Sequence, residues 1–300
     1  MLQWRGVAVA LMPAIVLYVV LSIEQGEWPA AASGGGSFGA YVASSGAPPL
    51  KPPRTAVAPL VSKVFVHDRD AFTQGLLVHE GTLYEGTGLW GHSNVREVEL
   101  RTGKVLRQHD IEKRLFGEGI SIMPGGKELV EITWKAQVGI VYSAADFKEL
   151  RRFKYETKTG EGWGITFGGR ELVVSDGSEW LFFWDPATMR ETRRVRVMDR
   201  SRGGKRGRPV TKLNELEYVK GEVLANIWYS DDIVRIDPRT GSVLGYLDCS
   251  GLLLKAQRYG GEDCLNGIAW DEKRDVLLLT GKKYGKLWEL PMPAEIGKQN

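Results

Sequence analysis

Metal and nucleotide chemistry have little to work with in this sequence. Of 300 residues, two are cysteine and four are histidine (His67, His79, His92 and His109), with no CxxC and no Cys/His cluster at ligand spacing. A zinc site is therefore not expected, and no other metal or cofactor is called for. HExxH and P-loop motifs are missing, which removes the common signatures of zinc proteases and P-loop nucleotide enzymes. A net charge of +3 is too small to imply a nucleic-acid partner without a recognisable binding motif. Helical periodicity is nearly absent after residue 58. Cys249 in "LDCSG" and Cys264 in "EDCLNG" would close a loop as a disulfide in an oxidising compartment, and that bond is expected.

What is present begins with an uncharged apolar run from Gly6 to Ile23, preceded by Arg5 and followed by Glu24. Its length suits a membrane span and slightly exceeds a cleaved signal core, so residues 1–25 read as a signal anchor or a signal peptide, the anchor being preferred. The basic residue ahead of the run places the body in the lumen of the secretory pathway (endoplasmic reticulum, Golgi or vacuole) or outside the cell. Residues 26–57 are rich in Gly, Ala, Ser and Pro, the composition of a flexible linker. The functional body is expected over 58–293.

That body is built on an internal repeat. "FTQGLLV" with "GTLYEGTG", "FGEGISI" with "KELVEITWK", "GWGITF" with "RELVVSDGS", "LNELEYV" with "GEVLANIWY" and "LNGIAW" with "RDVLLLTGKK" are five copies of one strand pair. Aligning Gln74, Glu118, Trp163, Asn214 and Asn266 gives spacings of 44, 45, 51 and 52 residues, close to the period of four-stranded propeller blades. The fifth copy runs out of chain before a last strand, while "LVSKVFVHD" (Leu60 to Asp68) is an alternating strand without a partner. An open ring would expose sheet edges, so this N-terminal strand is expected to complete the last blade. The fold expected is all-β, a five-bladed β-propeller closed by an N-terminal strand and preceded by the apolar span, working as a monomer.

In a propeller blade the start of the first strand and the end of the second emerge on one face. Strand starts bring Phe72, Gln74, Glu118, Trp163, Asn214 and Asn266 there, and second-strand ends bring Glu85, Trp134, Asp176, Trp228 and Lys282. Three tryptophans at pocket-facing positions, with Glu118 and Lys282 nearby, have the character of a lined small-molecule site. Asn266 and Asp176 are read as bonding backbone or water, Trp90 as either rim or core, and the basic run Arg190 to Lys212 as a solvated outer strand and loop.

"FTQGL", "GLWGHSNVREVEL", "FGEGI", "GWGI", "SDGS", "LNELEY", "EVLANIW", "LNGIAWD" and "TGKK", in this order over residues 60–290, resemble the plant-type (papaya-type) glutaminyl-peptide cyclotransferases. The resemblance implies an enzyme that converts N-terminal glutamine of peptides and proteins to pyroglutamate with release of ammonia, without a catalytic metal. It assigns Glu118 as catalytic acid/base and Phe72, Gln74, Trp134, Trp163, Asn214, Trp228 and Lys282 to the pocket. Charge on the amide oxygen needs a donor, and Lys282, Gln74 or Asn214 is suited to supply it, Lys282 and Asn214 being taken as the catalytic partners. The sequence departs from that pattern in the further lysines Lys283 and Lys286 and in a long "MDRSRGGKRGRP" segment. Two other classes fit the residues alone. Glu118, Asn214, Asn266 and Asp176 are oxygen ligands suited to calcium, as in a propeller lactonase or esterase, and a non-catalytic propeller could display the same face to a peptide.

Overall fold

The structure is a computed structural model and describes residues 56–202 and 206–298. The apolar run at 6–23 and nearly all of the linker lie outside the described residues. No α-helix occurs among the described residues. Five sheets, four strands deep from axis to rim, carry the chain round the propeller. Blade one comprises Thr73–His79, Thr82–Thr87, Asn94–Glu99 and Lys104–Asp110. Blade two comprises Gly117–Ile122, Glu128–Thr133, Val138–Ser143 and Glu149–Lys154. Blade three has a short inner strand, Ile165–Phe167, then Leu172–Ser175, Trp180–Asp185 and Arg190–Arg196. Blade four is Leu213–Val219, Glu222–Ile227, Asp232–Ile236 and Val243–Asp248. Blade five takes Leu265–Asp271, Val276–Gly281 and Lys286–Pro291 from the end of the chain, and its outermost strand is Lys63–Val66.

Burial follows from the strand alternation. Inner and middle strands are almost wholly buried because both faces meet neighbouring blades, whereas outer strands such as Lys104–Asp110 alternate exposed and half-buried residues. The apolar core lies between blades. Val173, Leu181 and Phe183 of blade three, for example, pack on Leu216, Val223 and Val234 of blade four. Ala56 and Val57, the last two residues of the expected linker, add a parallel strand to the rim of blade four.

The register of the inner strands shifts at one recurrent place. Irregularities fall between Thr73 and Gly75, Gly117 and Ile120, Leu213 and Leu216, and Leu265 and Ile268. A bulge leaves a residue unpaired and re-aims its side chain. In blades one, two, four and five the re-aimed residues include Gln74, Glu118, Asn214 and Asn266, the repeat positions themselves.

The same positions join the blades. Gln74 Nε2 donates to Glu118 Oε1 at 3.0 Å, the Gly119 amide donates to the Trp163 carbonyl at 2.9 Å, and Ser175 Oγ donates to the Asn214 carbonyl at 2.6 Å. The Gly267 amide donates to Asn226 Oδ1 at 2.9 Å, and Asn266 Nδ2 returns to the Thr73 carbonyl at 3.0 Å. Each step crosses one seam, and the ring is complete. Glu215 then spans the axis: its carboxylate accepts from the Leu76 amide of blade one at 3.2 Å and the Ile268 amide of blade five at 2.9 Å. Inner-strand edges that would otherwise present unpaired amides to the channel are thereby capped.

Cys249 and Cys264 are both free and buried, contrary to the expected disulfide. Cys249 instead packs in the apolar cluster between blades four and five. Burial pushes both thiols up, so neither is a ready thiolate.

Candidate active site

Glu118 enters the site through the two glycines beside it. A β-carbon on Gly119 would lie 2.6 Å from the Ile165 amide and 2.8 Å from Gly164 Cα, while one on Gly117 would strike Glu131 Oε1 and lie 2.9 Å from the Thr87 carbonyl. Blades one and three therefore press on the backbone from either side, and only glycine leaves room. The charge between them is buried. Burial drives the Glu118 pKa well above the usual carboxylate range, Lys282 pulls it back in part, and Glu161 and Glu131 add to the rise. Its carboxyl thus holds a proton readily, with a cation beside it.

Contacts connect the expected site residues. Lys282 is buried, with Nζ 4.9 Å from the centroid of the Phe72 ring. Lys283 and Lys286 are half-buried; Lys283 lies in the turn after Val276–Gly281, and Lys286 opens the next strand. Phe72 meets Phe116 edge-on at 6.2 Å between centroids, and Phe116 meets Trp134 at 5.5 Å. Trp134 and Trp163 each donate their indole N–H to Glu161 Oε2 at 2.8 Å, and Trp163 packs edge-on against Trp228 at 5.4 Å. Phe72, Trp134, Trp163 and Trp228 are half-buried, whereas Gln74, Glu118, Asn214 and Lys282 are buried. The polar members are thus buried and the rings partly exposed. Asn214 Oδ1, Asn226 Nδ2 and Asn266 Oδ1 have no hydrogen-bond partner. Such buried amide ends are costly unless a ligand or water meets them.

Other expectations resolve differently. Glu85 belongs to a buried ionic network, accepting from Arg96 Nη2 at 2.7 Å, His67 Nε2 at 3.0 Å and Thr73 Oγ1 at 2.7 Å. Asp176 bonds backbone, in line with its reading, accepting from the Thr159 and Ser178 amides at 3.0 Å. Asn266 bonds the Thr73 carbonyl, as a backbone-bonding residue should. Trp90 is rim: it is exposed and lies against Phe116 and Trp134. Among the described residues no group of three or more His, Cys, Asp or Glu is placed to hold a metal ion. Phe116, Glu161 and Glu215 escaped the sequence reading. Phe116 adjoins "GEG" and Glu161 adjoins "GWG", so proximity to an aligned motif was the available signal.

The family model described as glutamine cyclotransferase matches residues 38–292. The chain belongs to this family. It is 42% identical over 233 residues to an Arabidopsis thaliana glutaminyl-peptide cyclotransferase, covering 76% of this chain and 69% of the relative. The crystal structure of Myxococcus xanthus glutaminyl cyclase superposes with a TM-score of 0.71 at 31% identity, covering 79% of this chain and 97% of that one. Family membership and the propeller architecture agree, so the buried carboxyl, lysine and indoles described above are those of a glutamine cyclotransferase family member.

Proposed function

We propose that this protein cyclises N-terminal glutamine of peptides and proteins to pyroglutamate, releasing ammonia, with Glu118 moving the proton. The observation that carries the reading is the raised pKa of buried Glu118 beside Lys282 and Gln74. The substrate's α-amino group has an ordinary pKa of about 7.7 to 8.0, and a carboxyl lifted by burial exchanges a proton with such an amine at little cost. The neutral amine attacks its own side-chain carbonyl carbon, forming the ring C–N bond. Glu118 takes the proton shed by that nitrogen and delivers it to the amide nitrogen. The old C–N bond then breaks and ammonia leaves, so one carboxyl serves as base and acid. Lys282 and the Asn214 amide are the donors for charge on the carbonyl oxygen, each such donor being worth about 10² to 10³ in rate. The rings of Phe72, Trp134, Trp163 and Trp228 exclude water and hold the chain folded for five-membered closure. Every group invoked belongs to the chain, so the reaction is proposed to need no metal. The test is ammonia release from a Gln-initiated peptide with and without chelator. Chelator-resistant release is expected, and its absence refutes the reading.

The ring is proposed to be closed by Lys63–Val66. The antiparallel register Lys63↔Glu289 through Val66↔Lys286 supports this. So does His67, whose Nδ1 lies 2.7 Å from the Tyr284 carbonyl and whose Nε2 meets Glu85, tying the strand's end to blades five and one. Residence in the secretory pathway, with residues 6–23 as anchor or cleaved signal, is proposed from the order of Arg5, apolar run and Glu24; a monomeric state is likewise proposed.

A further inference from the structure

Trp134 follows the second strand of blade two, and Trp163 precedes the inner strand of blade three. They come from different sheets, yet their indole N–H groups converge on one atom, Glu161 Oε2, at 2.8 Å each. Lys135 completes the cluster, with Nζ 4.0 Å from Glu161 Oε1 and 4.1 Å from the centroid of the Trp134 ring. Glu161 is itself held by its loop. Thr157 Oγ1 donates to its carbonyl at 2.6 Å, and its amide donates to Thr159 Oγ1 at 3.3 Å. Thr159 in turn is fastened to Asp176, its amide bonding Oδ2 at 3.0 Å and its hydroxyl bonding the Asp176 carbonyl at 2.9 Å. A relay of fixed groups thus runs from the end of blade three's second strand to two rings of the pocket.

An indole N–H is a donor only, and a half-buried ring whose N–H merely meets water is free to swing. A bond to a carboxylate is charge-assisted and roughly twice as strong as a neutral one. Two rings bonded to one oxygen cannot move apart independently. We propose that Glu161 is a positioning residue that pins Trp134 and Trp163 at the spacing that receives the glutamine side chain, and that this pinning sets the protein's selectivity for glutamine at the peptide N-terminus. The proposal rests on the cyclisation reading, and it makes Asp176 the anchor of the clamp.

Two variants separate charge from acceptor. Glu161→Ala removes both, and Glu161→Gln keeps a carbonyl oxygen for the indoles. With Gln-initiated peptides, Glu161→Ala is expected to raise KM by about tenfold or more, since small misplacements of positioning groups cost factors up to about 10², while kcat changes much less. Glu161→Gln is expected to restore most of that KM. A merely structural role would instead lower the melting temperature and leave the folded fraction's KM unchanged. A folded Glu161→Ala protein with KM within about twofold of wild type overturns the proposal. Indole N–H resonances of ¹⁵N-Trp-labelled protein give a readout independent of turnover. Two signals should shift and exchange faster in Glu161→Ala, and an unchanged spectrum also overturns the proposal. If wild type releases no ammonia, the cyclisation reading fails by itself, and the resonances still decide whether the clamp exists.

Discussion

Gln74 donates from blade one to Glu118 of blade two at 3.0 Å, so a hydrogen bond that holds a seam also touches the group proposed to move the proton. A donor aimed at a carboxyl favours its ionised form. Gln74→Leu should therefore push the Glu118 pKa further up and move the acidic limb of the kcat/KM profile to higher pH. At pH 6 activity should fall by about tenfold or more, as hydrogen bonds to charged groups contribute about 1.5 to 3 kcal/mol, and the loss should shrink at pH 9. An unshifted profile contradicts a working contact between the two residues.

The pocket rings carry a separable expectation. Trp163 and Trp228 pack edge-on at 5.4 Å with planes at 85°, and both are half-buried. Trp163→Ala and Trp228→Ala should raise KM more than they lower stability. Thermal unfolding checks this, because a loss near the 3 to 5 kcal/mol of a core Trp→Ala, on the order of a fully buried ring, would make them inter-blade packing.

Ring closure is tested by truncation. Removing residues 1–55 leaves Ser62, Lys63 and His67 in place, with the Ser62 amide bonded to the Glu289 carbonyl at 2.8 Å. That protein should be soluble and active. Extending the deletion through Asp68 strips the outer strand from blade five and two partners, His67 and Asp68, from the Glu85–Arg96 network. It should aggregate, and soluble activity from it would rule the strand out as the closure.

Glu131 sets a pH dependence of stability. It is buried, with Tyr142 donating to Oε2 at 2.7 Å and Oε1 unpartnered, and burial raises its pKa to about 8. The folded protein therefore binds a proton that the unfolded chain, with an ordinary carboxyl, releases at lower pH. The associated stability is full below the ordinary carboxylate pKa and is lost as pH rises through about 8. His67 acts with the same sign: burial lowers its pKa, but Glu85 and the Tyr284 carbonyl together raise it above the ordinary value in the fold. Glu131→Gln keeps the shape without the titration. Its melting temperature should decline less than wild type between pH 5 and pH 9, by about 4 °C or more, given roughly 2 to 4 °C per kcal/mol at this size. Parallel curves would show that Glu131 does not titrate in this range.

These expectations also show where sequence reading stopped. The repeat period announced the blades because each blade is a local unit, and Gln74, Glu118, Asn214 and Lys282 sit where the aligned copies place them. Glu85 and Asp176 occupied equivalent alignment positions, but their bonds depend on which side chain the neighbouring strand or loop offers: Arg96 and His67 for one, Thr159 and Ser178 for the other. Glu215 reads as an ordinary strand residue. Only the inner-strand bulge and the short distance across the axis give it backbone amides from two other blades. The thiols failed for the converse reason, since an oxidising compartment permits a disulfide without bringing two sulfurs together.

The most direct test is turnover by Glu118→Gln, measured as ammonia release from a Gln-initiated peptide, with folding checked by thermal unfolding. The substitution keeps the size of the side chain and an oxygen for Gln74 but cannot carry a proton to the leaving nitrogen. A proton-moving Glu118 requires turnover to fall by about 10² to 10⁴ with KM little changed. A well-folded Glu118→Gln protein that keeps more than about a tenth of wild-type turnover would contradict the mechanism, because one general acid-base group contributes about a hundredfold at least.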